Sequence, residues 1–194
     1  GYPGPAASPA GGHASLGTPH MHEQFTGTMP VQERHRFDVD RLERFLLDRV
    51  AGYRGPLQVE QFKGGQSNPT FLLRTPERSY VLRRKPPGKL LPSAHAVDRE
   101  YRIITALGRT DVPVPRTWVL CEDDGVIGTA FYVMDCVEGR VLWDQALPGM
   151  QRAERSAIWD ELNRVIAQLH GIDYKAVGLE DFGKPGDYIA RQAT

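Results

Sequence analysis

The chain has 194 residues, of which 40% are hydrophobic, and its 24 lysines and arginines balance its 24 aspartates and glutamates. This length and composition favour one domain with a real core. The absence of net charge argues against nucleic acid or an anionic membrane as the main partner, and no apolar run approaches the roughly 20 residues that span a bilayer.

The two cysteines, Cys121 and Cys136, form no CxxC motif and have no histidine pattern nearby. This spacing favours two ordinary buried thiols in a reducing compartment over a disulfide or a zinc site. We therefore expect a cytoplasmic protein without a structural metal.

The first 33 residues differ in composition from the rest of the chain. They contain six glycines, five prolines, two acids and no lysine or arginine, and they show no hydrophobic period. Such a segment cannot bury enough apolar surface to offset the entropy of ordering it, so we expect residues 1–33 to be disordered. It lacks the basic start and apolar stretch of a secretory signal. Because His20-Met21 resembles a cloning junction, residues 1–20 are set aside as candidate vector sequence.

Ordered structure is predicted to begin at Phe37 with a helix. Asp38 is a good N-cap, and Phe37 and Leu42 occupy the two positions of a hydrophobic staple. Apolar residues then recur on one face for about three helical turns, and Gly52 ends the helix.

From Leu57 onward the hydrophobic period changes from helical to two. Turn formers separate three segments that have this period, which predicts an antiparallel meander. The three predicted strands cover residues 58–63, 70–75 and 80–85.

Two further helices are predicted farther along the chain. The first covers residues 94–107, with Ser93 as its cap and Gly108 as its stop. The second is strongly amphipathic and ends at His170-Gly171. Its apolar face is marked by Ile158, Leu162, Val165, Ile166 and Leu169.

Between these helices, β segments at 116–121 and 129–135 flank an acidic turn at 123–125, and a tight linker follows. The complete order is strand, glycine turn, strand, strand, helix, strand, strand, linker, helix. Five antiparallel strands with one inserted helix form the small lobe of kinase-like folds. The predicted fold class is therefore α+β, with the small lobe at 34–135 and the hinge and start of a helical large lobe at 136–194.

Three phrases of the sequence, FKGGQSNPTFLL, YVLRRKPPGKLLPSAHAVDREYR and FYVMDCVEGR, form a joint pattern that is highly specific. With them, the chain from Val59 to Gln192 resembles the aminoglycoside phosphotransferase and choline kinase superfamily. In particular, it is similar to the phosphotransferase domains fused to acyl-CoA dehydrogenases and to their free-standing bacterial relatives.

The turn after the first strand of the meander contains Gly64, Gly65, Gln66 and Ser67. A phosphate chain needs backbone N–H groups with no side chain in the way, which the two glycines permit, and the serine hydroxyl adds a donor. The resemblance implies that this glycine turn binds the phosphates of ATP. A plain hairpin turn is the alternative, because Gly-Gly and Asn-Pro are common in such turns.

The resemblance places Arg83 at the position of the cation that holds the α and β phosphates, and Glu100 at that of the helix carboxylate that orients it. Arginine replaces the lysine of aminoglycoside and protein kinases, and its fork suits both carboxylate and phosphate. Strand alternation puts Val81 and Arg83 on one face and Leu82 and Arg84 on the other, so we expect Arg84→Ala to have little effect on ATP use. The alternative is a solvated basic strand with an exposed helical glutamate.

The hinge after the last strand must offer a carbonyl and an N–H to adenine. By resemblance these belong to the main chain of Asp135 and Val137, and Met134 faces the pocket. The alternative for Met134 is a place in the core.

Two short motifs look catalytic: His170-Gly171-Ile172-Asp173 as an HxD loop, and Asp181-Phe182-Gly183 as a metal-binding DFG. A catalytic aspartate of this type is followed about five residues later by an asparagine that binds magnesium, and none follows Asp173. The eight positions from Asp173 to Asp181 are too few for the β-hairpin that separates these motifs in kinases. We therefore expect the catalytic and metal-binding residues after Thr194 and none within this segment.

The predicted function is transfer of the γ-phosphoryl group of ATP, with Mg²⁺, to a hydroxyl of a small molecule. This segment would supply the nucleotide-binding half and be inactive by itself. The expected partners are ATP and a small hydroxylated substrate, without nucleic acid or membrane. One alternative is a non-catalytic module of kinase-like fold that binds nucleotide or protein, and another is a purely structural α+β domain.

Overall fold

The computed structural model describes residues 26–64, 68–86, 88, 95–142 and 144–183. Within these ranges the chain forms an α+β fold, as predicted. Its elements are β1 Thr28–Met29, α1 Val39–Arg49, β2 Gln58–Phe62, β3 Thr70–Arg74, β4 Ser79–Arg84, α2 Val97–Leu107, β5 Thr117–Cys121, α3 Asp124–Ile127, β6 Phe131–Asp135 and α4 Arg152–His170.

The strands form one antiparallel sheet in the order β1-β2-β3-β4-β6-β5. The predicted count of five strands was wrong, because β1 adds a sixth in a segment that we expected to be disordered. The two residues of β1 pair with the end of β2, and Thr28 Oγ1 donates to a Glu60 carboxylate oxygen at 2.5 Å. These partners are distant in sequence, so the composition of residues 26–33 could not reveal them. Residues 1–25 lie outside the described ranges.

The hydrophobic core lies between α1 and one face of the sheet. α1 begins at the predicted cap, where Asp38 Oδ1 accepts a hydrogen bond from the Arg41 N–H at 2.9 Å. Aromatic stacking joins the two layers, with the Phe45 and Phe131 rings 5.5 Å apart in a T-shaped arrangement. The most deeply buried core side chains include Leu42, Leu46, Phe71, Leu73, Leu82, Phe131 and Val133.

The opposite face of the sheet carries α2 at its β5–β6 end, where the Tyr101 and Tyr132 rings lie 6.0 Å apart. α2 begins at Val97 and ends at Gly108, whose N–H donates to the Ile104 carbonyl at 2.9 Å. The helix starts later than the predicted position 94, with Ala96 at its N-cap, and the predicted cap Ser93 lies outside the described residues. The part of the face over β3 and β4, beside α2, is therefore a candidate for a functional site.

A single helical turn, α3, stands where an acidic turn was predicted. Asp123 Oδ1 accepts from the Gly125 N–H at 2.8 Å and caps the turn, and Gly128 ends it with φ 87°. The buried Ile127 side chain anchors α3 against the core. Acidic residues favour both turns and helix starts, so only packing decides between the two.

α4 carries the predicted apolar repeat over 19 residues, yet none of its side chains is buried within the described part of the chain. Its large exposed apolar side chains are Trp159, Leu162, Ile166 and Leu169. None of the described helices combines the length and apolar character needed to cross a bilayer. The apolar repeat therefore forms an exposed helix face within the described part of the chain.

Candidate functional site

The centre of the candidate site is a two-point ion pair between β4 and α2, which we call the clamp. Arg83 Nε donates to Glu100 Oε2 at 2.9 Å, and Arg83 Nη2 donates to Glu100 Oε1 at 3.2 Å. The side chains are 28% and 33% exposed, so the pair is partly shielded while one edge of the guanidinium remains accessible. The structure thus brings together the two residues that the sequence paired.

Each oxygen of the Glu100 carboxylate also receives a neutral donor. Asn68 Nδ2 donates to Oε1 at 2.9 Å, and the Tyr132 hydroxyl donates to Oε2 at 3.0 Å. Arg83 Nη1 donates in turn to Thr70 Oγ1 at 3.3 Å. The sequence analysis did not place Asn68, Thr70 or Tyr132 in the site. Strand alternation could have indicated Tyr132, since it pairs directly with Arg83 in the sheet.

The electrostatics of the clamp favour its charged form. Burial by itself raises the pKa of Glu100, but the hydrogen bonds and charge of Arg83, followed by the hydrogen bonds from Tyr132 and Asn68, outweigh it and lower the pKa below 4.5. Burial and the neighbouring Glu100 carboxylate raise the pKa of Tyr132, which keeps its phenol protonated as a donor. Glu100 is therefore an ionised acceptor that orients the Arg83 guanidinium.

Arg84 occupies the opposite face of β4, and that face is the core. Its side chain is 2% exposed, and Nη1 and Nη2 donate to the carbonyls of Ile127 at 3.2 Å and His35 at 3.1 Å. The guanidinium carbon lies 5.2 Å and 5.4 Å from the ring centres of Phe37 and Phe71. Arg84 thus lies on the face that strand alternation predicts, although alternation does not say that this face is buried.

An apolar row lies on the same sheet face as the clamp. Leu72, Val81 and Met134 are direct register partners across β3, β4 and β6. Because side chains two residues apart share a face, this row lies next to the pair formed by Arg83 and Tyr132. Met134 therefore faces the clamp side of the sheet.

An open cleft of about 750 Å³ adjoins this row at the hinge end, lined by Leu72 and Arg74, the turn residues 77–79, and residues 135–138. We call it the hinge cleft. The Asp135 side chain points away from the row, since its Oδ1 accepts from Trp118 Nε1 at 2.6 Å, and its N–H donates to the Arg116 carbonyl. Val137 is 71% exposed, and its main-chain N–H has no acceptor within the described ranges.

The glycine turn is described only at its ends. Gly64 is partly buried just after β2, and Asn68 begins the chain again beside Glu100. The predicted phosphate-binding residues Gly65, Gln66 and Ser67 lie outside the described residues.

The two motifs set aside in the sequence have structural partners. Asp173 Oδ1 accepts from the N–H groups of Lys175 at 2.9 Å and Ala176 at 3.3 Å, which closes a local turn. The Asp181 carboxylate pairs with the Arg102 guanidinium of α2, and the Arg99 guanidinium stacks 4.1 Å from the Phe182 ring centre. The Asp181 carboxylate thus docks the segment after α4 on α2, and the Asp173 carboxylate shapes the turn within that segment.

Residues 58–194 match the phosphotransferase enzyme family, abbreviated APH. This chain belongs to that family. The matched segment begins at β2 and includes the clamp, the hinge cleft and α4. Membership in the phosphotransferase family agrees with the predicted kinase-like fold and with the resemblance carried by the three sequence phrases.

The relatives of this phosphotransferase segment are longer proteins. It is 51% identical over 84% of its length to the Arabidopsis thaliana protein named acyl-CoA dehydrogenase IBR3, of which it covers 21%. It is 44% identical over 92% of its length to acyl-CoA dehydrogenase family member 10 of Mus musculus, of which it covers 17%. The chain thus spans about a fifth of these curated relatives.

Among solved structures, an aminoglycoside phosphotransferase-like protein from Ralstonia eutropha superposes with a TM-score of 0.72 and 57% sequence identity. The superposition covers 81% of this chain and 45% of that protein. The α+β fold with its antiparallel sheet is therefore that of a known phosphotransferase-type structure.

The lowered pKa of Glu100 makes part of the folding stability depend on pH. The clamp's contribution is fully present above about pH 4.5, where the unfolded glutamate ionises, and is lost as pH falls through the lower folded value. We expect Glu100→Gln to lower the free energy of unfolding by on the order of 1 kcal/mol at pH 7, because the pair is partly exposed. That difference should shrink as pH falls below 4.5.

Urea unfolding of the wild type and Glu100→Gln in the full-length protein, at pH 7 and pH 3.5, measures this effect. Glu122→Gln is the matched control, since Glu122 is exposed and has no hydrogen bond or ion pair with any other described residue. A wild-type advantage over Glu100→Gln that is equal at both pH values would contradict the assignment of an ionised Glu100.

Proposed function

We propose that the protein carrying this chain transfers the γ-phosphoryl group of ATP to a hydroxyl of a small molecule, and that this segment supplies the nucleotide-binding half. The clamp carries the proposal. An accessible guanidinium, held by a carboxylate and placed on the same sheet face as the hinge cleft, is the arrangement by which kinases of this fold hold the α and β phosphates.

The donors of Arg83 fit a phosphate ligand. A guanidinium has five N–H donors, and Glu100 and Thr70 occupy three of those of Arg83. The remaining donors can bind a phosphate oxygen without releasing Glu100. Charge-assisted hydrogen bonds of this kind are the strong ones in proteins.

The hinge end fits an adenine ring. Leu72, Val81 and Met134 offer an apolar wall for one face of the base. The exposed Val137 main chain supplies an N–H donor at the edge of the hinge cleft, with no acceptor among the described residues. We propose that Val137, together with the Asp135 carbonyl, recognises the adenine edge, and that the glycine turn with Gly64, Gly65, Gln66 and Ser67 covers the phosphates.

Magnesium, when bound with ATP, neutralises charge on the phosphates and aligns them for in-line transfer. No group of three or more His, Cys, Asp or Glu side chains in the described part of the chain is arranged to hold a metal ion. We propose that the metal ligands and the general base lie after Thr194. This fits the 45% coverage of the Ralstonia protein by this chain.

The acceptor is proposed from the relatives alone. Several relatives are named as acyl-CoA dehydrogenases, which favours a hydroxylated acyl compound or another hydroxylated metabolite. The alternative function is a nucleotide-binding module without catalysis. The non-catalytic function is favoured because the Asp173 and Asp181 carboxylates are engaged in structural contacts. An HGD motif followed closely by Asn after Thr194 would exclude the non-catalytic function.

Calorimetric titration of the full-length protein with MgATP and with adenosine tests the nucleotide proposal. We expect both to bind and MgATP to bind more tightly, because the clamp contacts only phosphates. Phosphoryl transfer from labelled ATP to a panel of hydroxylated acyl compounds tests the enzyme proposal. Binding without transfer supports the non-catalytic module, whereas a protein that binds neither ligand contradicts both functions.

A further inference from the structure

The last residue of β6 is held to the start of β5 by two hydrogen bonds. The Asp135 N–H donates to the Arg116 carbonyl at 2.8 Å, and Asp135 Oδ1 accepts from Trp118 Nε1 at 2.6 Å. The acceptor of the second bond is a carboxylate, and hydrogen bonds to such groups are the stronger ones in proteins. The end of β6 is therefore fixed through both its main chain and its side chain.

Strand β5 has a β-bulge at Trp118. The partners of its two neighbours, Met134 and Val133, are adjacent in β6, so Trp118 is an extra residue without a partner in the register. A bulge of this kind bends the strand and re-aims a side chain. Here the Trp118 indole packs against the core side of the sheet and reaches the Asp135 carboxylate.

Neighbouring side chains hold the Trp118 ring in place. The guanidinium carbon of Arg116 lies 4.0 Å from the ring centre, and that of Arg78 lies 5.4 Å from it. The Tyr80 ring packs against the indole in a T-shaped arrangement, with the ring centres 5.8 Å apart. These contacts use the ring and not its N–H group. Trp118→Phe therefore keeps an aromatic ring at this position and removes the donor to Asp135.

The segment after Asp135 has no hydrogen-bonded anchor of its own in the part of the chain that the structure describes. Residues 136–142 form no hydrogen bond with any other described residue. Val137, whose N–H is proposed to recognise the adenine edge, lies two residues beyond Asp135. The position of the Val137 main chain therefore depends on how the end of β6 is held.

We propose that Trp118 is a positioning residue for the nucleotide base: its indole N–H holds the Asp135 side chain and thereby sets the hinge main chain that recognises the adenine edge. The inference rests on the proposed nucleotide-binding function and deepens it. Trp118 is not among the residues that line the hinge cleft, so it acts through Asp135. Its replacement should weaken binding of the adenine part and leave binding of the phosphates unchanged.

Trp118→Phe in the full-length protein is the first test. Calorimetry compares adenosine with purine riboside, which lacks the 6-amino group, and with magnesium tripolyphosphate, which lacks the nucleoside. We expect adenosine to bind about fivefold more weakly and tripolyphosphate to bind as it does to the wild type. The preference for adenosine over purine riboside should fall about threefold, because the amino group loses a well-placed acceptor at the hinge. A general loss of folded protein would instead weaken both nucleosides by the same factor.

Trp159→Phe is the matched control for this substitution. Trp159 is exposed on α4 and does not line the hinge cleft. Its replacement should leave the affinities for all three ligands unchanged.

Two substitutions of Asp135 test the other partner of the bond and keep the proposal testable if Trp118→Phe does not fold. Asp135→Ala removes the acceptor and should weaken adenosine binding about fivefold. Asp135→Asn keeps an oxygen that can accept from the indole, and it should stay within about twofold of the wild type. In the double variant of Trp118→Phe with Asp135→Ala the losses should not multiply, because both substitutions break the same bond.

The positioning role is supported if adenosine affinity and the preference over purine riboside fall together while tripolyphosphate affinity holds. It is overturned if Trp118→Phe binds adenosine as the wild type does, if all three ligands lose affinity equally, or if the losses multiply in the double variant. A wild type that binds neither adenosine nor tripolyphosphate overturns the proposed function itself, which is a distinct result.

Discussion

Arg83→Ala is expected to weaken MgATP binding in the full-length protein by about 100-fold, because two charge-assisted hydrogen bonds to phosphate are lost. Loss of the ion pair should also lower the free energy of unfolding by on the order of 1 kcal/mol, as expected for Glu100→Gln, while Asn68 and Tyr132 keep Glu100 in place. Arg83→Lys is expected to weaken binding about tenfold, since an ammonium keeps the charge but loses the planar fork. Calorimetry with MgATP and adenosine measures both variants.

Arg164→Ala is the control for this experiment. Arg164 also pairs with a glutamate, Glu161, but it lies exposed on α4, away from the clamp and the hinge cleft. Its replacement should leave MgATP affinity unchanged. If Arg83→Ala binds MgATP as the wild type does, Arg83 and Glu100 form a structural ion pair and the phosphate assignment fails.

Arg84→Ala is expected to act on folding rather than on the nucleotide. It leaves a cavity between Phe37 and Phe71 and deprives the Ile127 and His35 carbonyls of their donors. We expect the free energy of unfolding to fall by about 3 kcal/mol, measured by urea denaturation at pH 7. MgATP affinity, measured where the protein is folded, should remain that of the wild type.

Arg84→Met separates packing from hydrogen bonding at this position. Burial lowers the pKa of Arg84. Within the described residues, its Nε has no acceptor and its guanidinium has no carboxylate partner. The buried charge therefore lowers the free energy of unfolding. Methionine fills most of the space without that cost, and we expect it to recover at least half of the stability that alanine loses. An unfolding midpoint for Arg84→Ala equal to that of the wild type would refute the core role of Arg84.

The contrast between Arg83 and Arg84 shows what strand alternation can predict and what it cannot. The period of two placed Arg83 with Val81 on one face and Arg84 with Leu82 on the other, and the structure agrees. The period does not say which face meets a helix. α1 covers the Leu82 face. Arg84, which lies on that face, is therefore one of the most buried charged residues in the described chain.

By itself, the sequence determined helices α1, α2 and α4 and the five longer strands, because each depends on a local hydrophobic period, a cap such as Asp38 or a stop such as Gly108. It also determined the pairing of Arg83 with Glu100, through a joint pattern spread over the chain. Only the tertiary structure decided the edge strand β1, the burial of Arg84 and the hydrogen bond that Asn68 donates to Glu100. Each of these depends on a contact between residues at least 32 positions apart, and such contacts leave no local period in the sequence.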